Sequence, residues 1–211
     1  MSGQRLAREL VADGVVHALG LILGVAGAGV LVLLVLFDGD PVVRAPLFIY
    51  AAGFLVMLAC SAAYNVLRSS PRRDWLRRFD HAAIFAMIAG TYTPFTTLRL
   101  TGAWSSGLTA VIWAIAVVGM AAKLFRPRRI ETISIVLYLT LGWIGLVALR
   151  PFLTSLDATT LALLAGGGVL YSVGVVFHVW ESLPYHNAIW HGFVLTGAVV
   201  HYAAVVNETM V

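Results

Sequence analysis

The sequence predicts an all-α integral membrane protein, a bundle of seven transmembrane helices with the N-terminus cytoplasmic and the C-terminus outside. Three observations carry this. Hydrophobic residues make up 60% of the 211 positions and charged residues 11%, where ordinary soluble domains have about 45–50% and about 25%. Mean hydropathy is +0.91, and the apolar residues fall in runs long enough to cross a bilayer. The basic residues gather on one side of those runs.

A span needs about 20 mostly apolar residues, because a helix rises about 1.5 Å per residue and the hydrocarbon core is about 30 Å thick. The first run, Gly14–Phe37, is too long for the about 7–15 apolar residues of a signal peptide and has no evident small-residue cleavage site, so it is read as mature structure. The second, Val43–Leu67, contains Cys60, the only cysteine. No internal disulfide is therefore expected, and no redox compartment follows. The third, Phe79–Leu98, opens on Asp80 and His81. Ala103–Phe125, Thr132–Leu149, Thr160–Trp180 and Ala188–Val206 complete the set. Connections such as Asp38–Asp40, Leu98–Gly102 and Arg126–Arg129 are too short for a soluble domain, so residues 1–211 read as one domain without linker or internal repeat.

Orientation comes from Lys and Arg in alternate connections. One side receives Arg5, Arg8, Arg68, Arg72, Arg73, Arg77, Arg78, Lys123, Arg126, Arg128 and Arg129, while the other receives Arg44, Arg99 and Arg150. The richer side is expected to be cytoplasmic. The net charge of +4 then describes a basic collar at the membrane surface, and no nucleic-acid partner is expected. The sequence assigns no oligomeric state.

With that topology, Asp13, His17, Ser61, Asn65, Asp80, His81, His178, Asn187 and His191 all lie toward the cytoplasmic ends of their spans. A carboxylate inside a membrane helix is costly, so it is expected to face the bundle interior or a water-filled cavity and to have a partner there. Asp80 is the strongest such candidate. Residues four apart share a helix face, which groups Glu9 with Asp13 and His17, Ser61 with Asn65, and Asn187 with His191. His186 stands five before His191 and shares its direction only if it lies on the preceding loop. His201 sits deeper and is expected to make an interhelical hydrogen bond. Gly20, Gly24, Gly27 and the Gly166–Gly168 run read as close-packing positions, and no phosphate-loop pattern is present.

The segments FDHAAIFAMIAGTYTPF and NAIWHGFVLTGAVVHY, with ELVADGVVHALG and SAAYN, resemble the hemolysin III family, which is related to the progestin and adipoQ receptors. The resemblance covers nearly the whole chain. It implies a seven-helix membrane fold with a cytoplasmic N-terminus. It also implies a zinc site near the cytoplasmic face, held by one histidine ending the second span and two, four apart, in the seventh, with a serine and an aspartate close by. Carried over by motif, Ser61 and Asp80 match the serine and aspartate as catalytic candidates, and His191 matches the second histidine of the seventh span. The other two metal positions hold Asn65 and Asn187. A neutral amide is a poor substitute for imidazole, since hydrolytic zinc normally has three protein ligands plus water. The cavity is accordingly expected to bind zinc weakly or not at all at the family position. The alternative is a rebuilt set drawn from Asp80, His191, His186 and His17.

The function expected on these grounds is membrane lipid homeostasis or lipid sensing in the plasma membrane, with a membrane lipid or acyl chain as partner. A zinc-dependent hydrolase of a lipid amide or ester is the alternative, in which Asp80 orients water or takes its proton. A pore-forming cytolysin matches the family name, but no intramembrane row of charges marks an ion path.

Overall fold

The computed structural model describes residues 3–38, 41–126 and 133–210. The described segments form α1 (Gly3–Asp38), α2 (Pro41–Val66), α3 (Arg73–Leu98), α4 (Gly102–Phe125), α5 (Ser134–Gly142), a 3-10 segment (Ile144–Ala148), α6 (Leu149–Ser155), α7 (Ala158–Val179) and α8 (His186–Met210). Arg128, Arg129 and Thr132, on which part of the charge count and one span boundary rest, lie outside the described residues.

Among the described residues, six stretches are long and apolar enough to cross a membrane: α1, α2, α4, the broken stretch Ser134–Ser155, α7 and α8. The expected third span, α3, is not among them. Its first two turns carry Arg73, Asp74, Arg77, Arg78 and Asp80, and its second half buries Thr91, Thr93 and Thr96. Position explains this composition. α3 packs against α2, α4, α5 and α8, and a helix enclosed by other helices need not dissolve in lipid. Its hydroxyls bond within the bundle: Thr91 donates to the Met87 carbonyl and Thr93 to that of Ala89, while Thr93 accepts from the Trp113 indole at 3.0 Å. Pro94, inside α3, lacks an N–H for the helical ladder, a defect that membrane bundles tolerate where neighbouring groups satisfy the backbone.

The outer helices differ. In α1 the buried positions are Asp13, His17, Gly20, Gly24, Ala28, Leu31 and Val35, a stripe at helical spacing. The opposite face exposes Val15, Leu19, Ile22 and Val25. Apolar residues outside and a polar pair inside are what a lipid-facing helix requires. α1 packs on α2 and α8, α2 on α3, and α7 on α8. Small residues set the closest approaches: a Cβ on Gly24 would stand 2.2 Å from Leu58, and one on Gly167 would stand 2.2 Å from the His201 ring. Gly166 faces open space, so only part of the triple-glycine run is a contact surface. His201 makes the expected interhelical bond, to the Leu164 carbonyl at 3.1 Å.

The fifth run is not one continuous helix. It breaks at Gly142 and continues through the 3-10 segment and α6 to Ser155, beyond the expected end at Leu149. Gly142 and Gly145 weaken the helix intrinsically, and a phenol from α3 compensates the freed backbone. Tyr92 donates to the Gly142 carbonyl and accepts from the Gly145 N–H at 3.1 Å. Trp143 donates to Ser172 on α7 at 3.0 Å, which ties the break to its neighbour.

Candidate functional site

At the end of the bundle where α1, α3 and α8 begin and α2 ends, four helices contribute polar side chains to one cluster. Asp13 is its hub. It is only 2% exposed, and its carboxylate accepts from Arg68 Nη2 at 3.1 Å through Oδ2 and from His191 Nδ1 at 2.6 Å through Oδ1. His17, one turn further along α1, places Nδ1 2.8 Å from the Asp13 carbonyl oxygen. A carbonyl oxygen can only accept, so that nitrogen carries the proton. His17 Nε2 then lies 3.2 Å from Ser61 Oγ, and the Asp80 carboxyl shares a hydrogen bond with the same hydroxyl. The His17 and His191 rings meet edge to face, their centroids 4.4 Å apart.

Local sequence explains each placement. The four-residue spacing of Asp13 and His17 puts both on the inward stripe of α1, and Gly20 and Gly24 let that stripe approach α2 and α8. Glu9, which shares the same row, pairs instead with Arg5 at 3.1 Å. On α2, Asn65 donates to the Ser61 carbonyl at 3.0 Å; Arg68, in the turn that follows α2, donates to the Asn65 carbonyl at 2.8 Å as it reaches Asp13. Asp80 and His81 are neighbours that serve different faces. Asp80 turns to Ser61, whereas His81 accepts from Lys123 of α4 at 3.3 Å and sits beside Tyr64.

Of the residues singled out from sequence, the structure brings Asp13, His17, Ser61, Asp80 and His191 into the cluster and places Asn65 at its edge. Asn187 is exposed on α8. His186 opens α8 directly after Tyr185, whose φ is 62°, so it is a helical residue and five positions from His191. His178 packs on Trp190. The Nδ1 atoms of His178 and His186 are buried without a partner among the described residues. Two participants were not given their role by the sequence: Asp13 as hub and Arg68 as its counter-charge. The signal for Asp13 was its spacing with His17. Arg68 gave none beyond its charge, because its contact crosses 55 positions.

Asp13, His17 and His191 each offer one ligand atom, all within 4.8 Å of one another. Two imidazoles and a carboxylate are a donor set that zinc accepts. The residues present therefore fit a metal better at these three positions than at Asn65 and Asn187.

Comparison with known proteins gives the chain its relatives. The family model for Haemolysin-III related proteins matches residues 5–202. The chain is 32% identical to the Hemolysin-3 homolog of Bacillus subtilis (strain 168) over 198 residues, covering 94% of this chain and 93% of that protein. It is 32% identical to Hemolysin-3 of Bacillus cereus over 201 residues, covering 95% and 92%. It is 30% identical to the human Monocyte to macrophage differentiation factor over 167 residues, covering 75% and 68%. No solved structure matches. With its membrane-length helices and a family match running almost end to end, the chain is a multi-pass integral membrane protein and belongs to the hemolysin III family.

Proposed function

We propose that the chain is a seven-span protein with α3 as its central span, that its N-terminus is cytoplasmic and its C-terminus outside, and that it acts in membrane lipid homeostasis by hydrolysing a lipid amide or ester. The asymmetry of Lys and Arg supports the orientation, which puts the Asp13 cluster near the cytoplasmic surface. The observation that carries the chemistry is the convergence of Asp13, His17 and His191 within 4.8 Å, with Ser61 and Asp80 beside them.

Asp13, His17 and His191 would hold zinc, which supplies Lewis-acid polarisation of a substrate carbonyl. The protein's own groups divide the remaining work. Asp13 orients both imidazoles and is itself held by Arg68. Ser61 hydrogen-bonds the Asp80 carboxyl, which can hold a proton and return it to a leaving group, while His17 Nε2 is the ring nitrogen left for the metal. The apolar helices around the cluster supply a surface for acyl chains.

Arg68 favours a second reading. A guanidinium 3.1 Å from Asp13 Oδ2 already neutralises the carboxylate and competes with a cation, as a metal-free lipid sensor would require. Metal analysis of the purified protein, together with release of fatty acid from ceramide and from a fatty-acyl ester, separates the two. The hydrolase reading expects near-stoichiometric zinc and product release, both lost in Asp13→Asn and both kept in Asn187→Ala. Protein that binds these lipids without zinc and without turnover would sink it and leave the sensor.

A further inference from the structure

We propose that the cleft at the opposite end of α3 holds one anionic phospholipid of the surrounding bilayer, with its phosphate on Arg150. The cleft has a volume of about 750 Å³, within the about 300–1,000 Å³ usual for sites that enclose small ligands. It exists because the fifth run is broken: α6 and the 3-10 segment form one wall, and the connection from α3 into α4 forms the other.

Two features specify the occupant. The first is that the apolar wall is open to lipid. Leu146, Leu149 and Leu153 line the cleft and are exposed on the helix surface, so a hydrocarbon chain can enter sideways from the bilayer, and Trp104 marks the interfacial level. The second is an uncommitted positive charge. The Arg150 side chain is exposed and makes no hydrogen bond or ion pair among the described residues. Arg99, at the same end, is occupied by Glu208. Asp157 forms no ion pair with Arg150 among the described residues; its oxygens accept from Thr159, Thr160 and Asn207. A free guanidinium at the rim of a lipid-walled cleft matches a phosphate carried on acyl chains, and guanidinium suits phosphate geometry.

Native mass spectrometry of the purified full chain, incubated with equimolar phosphatidylglycerol and phosphatidylcholine, tests this. Phosphatidylglycerol should be retained about five-fold over phosphatidylcholine, the factor expected for one basic residue near a membrane surface. Arg150→Gln should abolish the preference, and Arg150→Lys should keep it, which separates charge from fold. Leu153→Trp, which narrows the cleft and leaves the charge, should lower retention of both lipids, while Arg72→Gln at the other end should change nothing. Equal retention by the unaltered protein, a preference surviving Arg150→Gln, unchanged binding in Leu153→Trp, or displacement of the lipid by inorganic phosphate would each overturn the proposal.

Discussion

Asp13, within α1, and Asp157, at the N-terminus of α7, are carboxylates at opposite ends of the bundle, and they are used in opposite ways. Asp157 caps α7: its Oδ1 accepts from the Thr159 and Thr160 N–H groups at 2.7 and 3.1 Å, and its Oδ2 from the Thr160 hydroxyl and Asn207 at 2.7 and 3.0 Å. Three of these bonds come from residues within three positions of it. Asp13 draws on Arg68 and His191, 55 and 178 positions away. A carboxylate filled by its own helix terminus is doing structural work. One that holds an imidazole and a guanidinium from distant segments fixes the direction in which the other nitrogen of that imidazole points.

The largest expected effect breaks this contrast directly. Asp13→Ala leaves Arg68 and His191 without their buried acceptor, and removing one partner of such a pair costs about 3–5 kcal/mol. Thermal unfolding in detergent should show a loss several times that of Asp157→Ala; equal losses would mean that the two carboxylates play the same part. A smaller effect sharpens the contrast by asking how much of the fold is independent of either end. At mid-bundle, Gly167→Ala drives a Cβ to 2.2 Å from His201 and should cost about 1–3 kcal/mol, as overpacking does. Gly166→Ala, facing open space, should stay within about 0.5 kcal/mol. A reversed order in the same unfolding assay would show that α7 is rotated from this packing.

The smallest effect concerns Asp157 and pH. The Thr160 hydroxyl, with the Thr160 and Thr159 backbone, holds its carboxyl below the ordinary value of 3.8. A depressed folded value stabilises above the unfolded one, so the cap contributes fully at neutral pH and loses its contribution as pH falls below about 3.8. The difference in unfolding midpoint between the unaltered protein and Asp157→Ala should therefore shrink on acidification through that range. A difference independent of pH would place the cap's contribution in something other than the ionised carboxylate.

Much of the candidate site was legible because depth in a membrane protein is readable from sequence. Ser61, Asp80 and His191 could be given one level before any packing was known. Asn187 shared that level and the face spacing with His191, yet it is exposed. Four residues advance a helix by about 400°, which leaves about 40° between the two positions, and the packing of α7 and α1 on α8 decides which side of that difference is covered. Asp13 was visible as a member of the polar layer but not as its centre, since centrality depends on which helices adjoin α1.

Composition and periodicity alone determined that this chain is helical and lives in lipid, because the bilayer imposes length, apolarity and charge asymmetry on each helix separately. They also determined where polar residues sit along the bundle axis. The neighbours of each helix were decided only in three dimensions: α1 against α8, α3 enclosed, and the fifth run broken around Tyr92. Those outcomes depend on small residues and hydrogen bonds whose partners are distant in sequence, and a helical repeat records the direction of a side chain but not what stands opposite it.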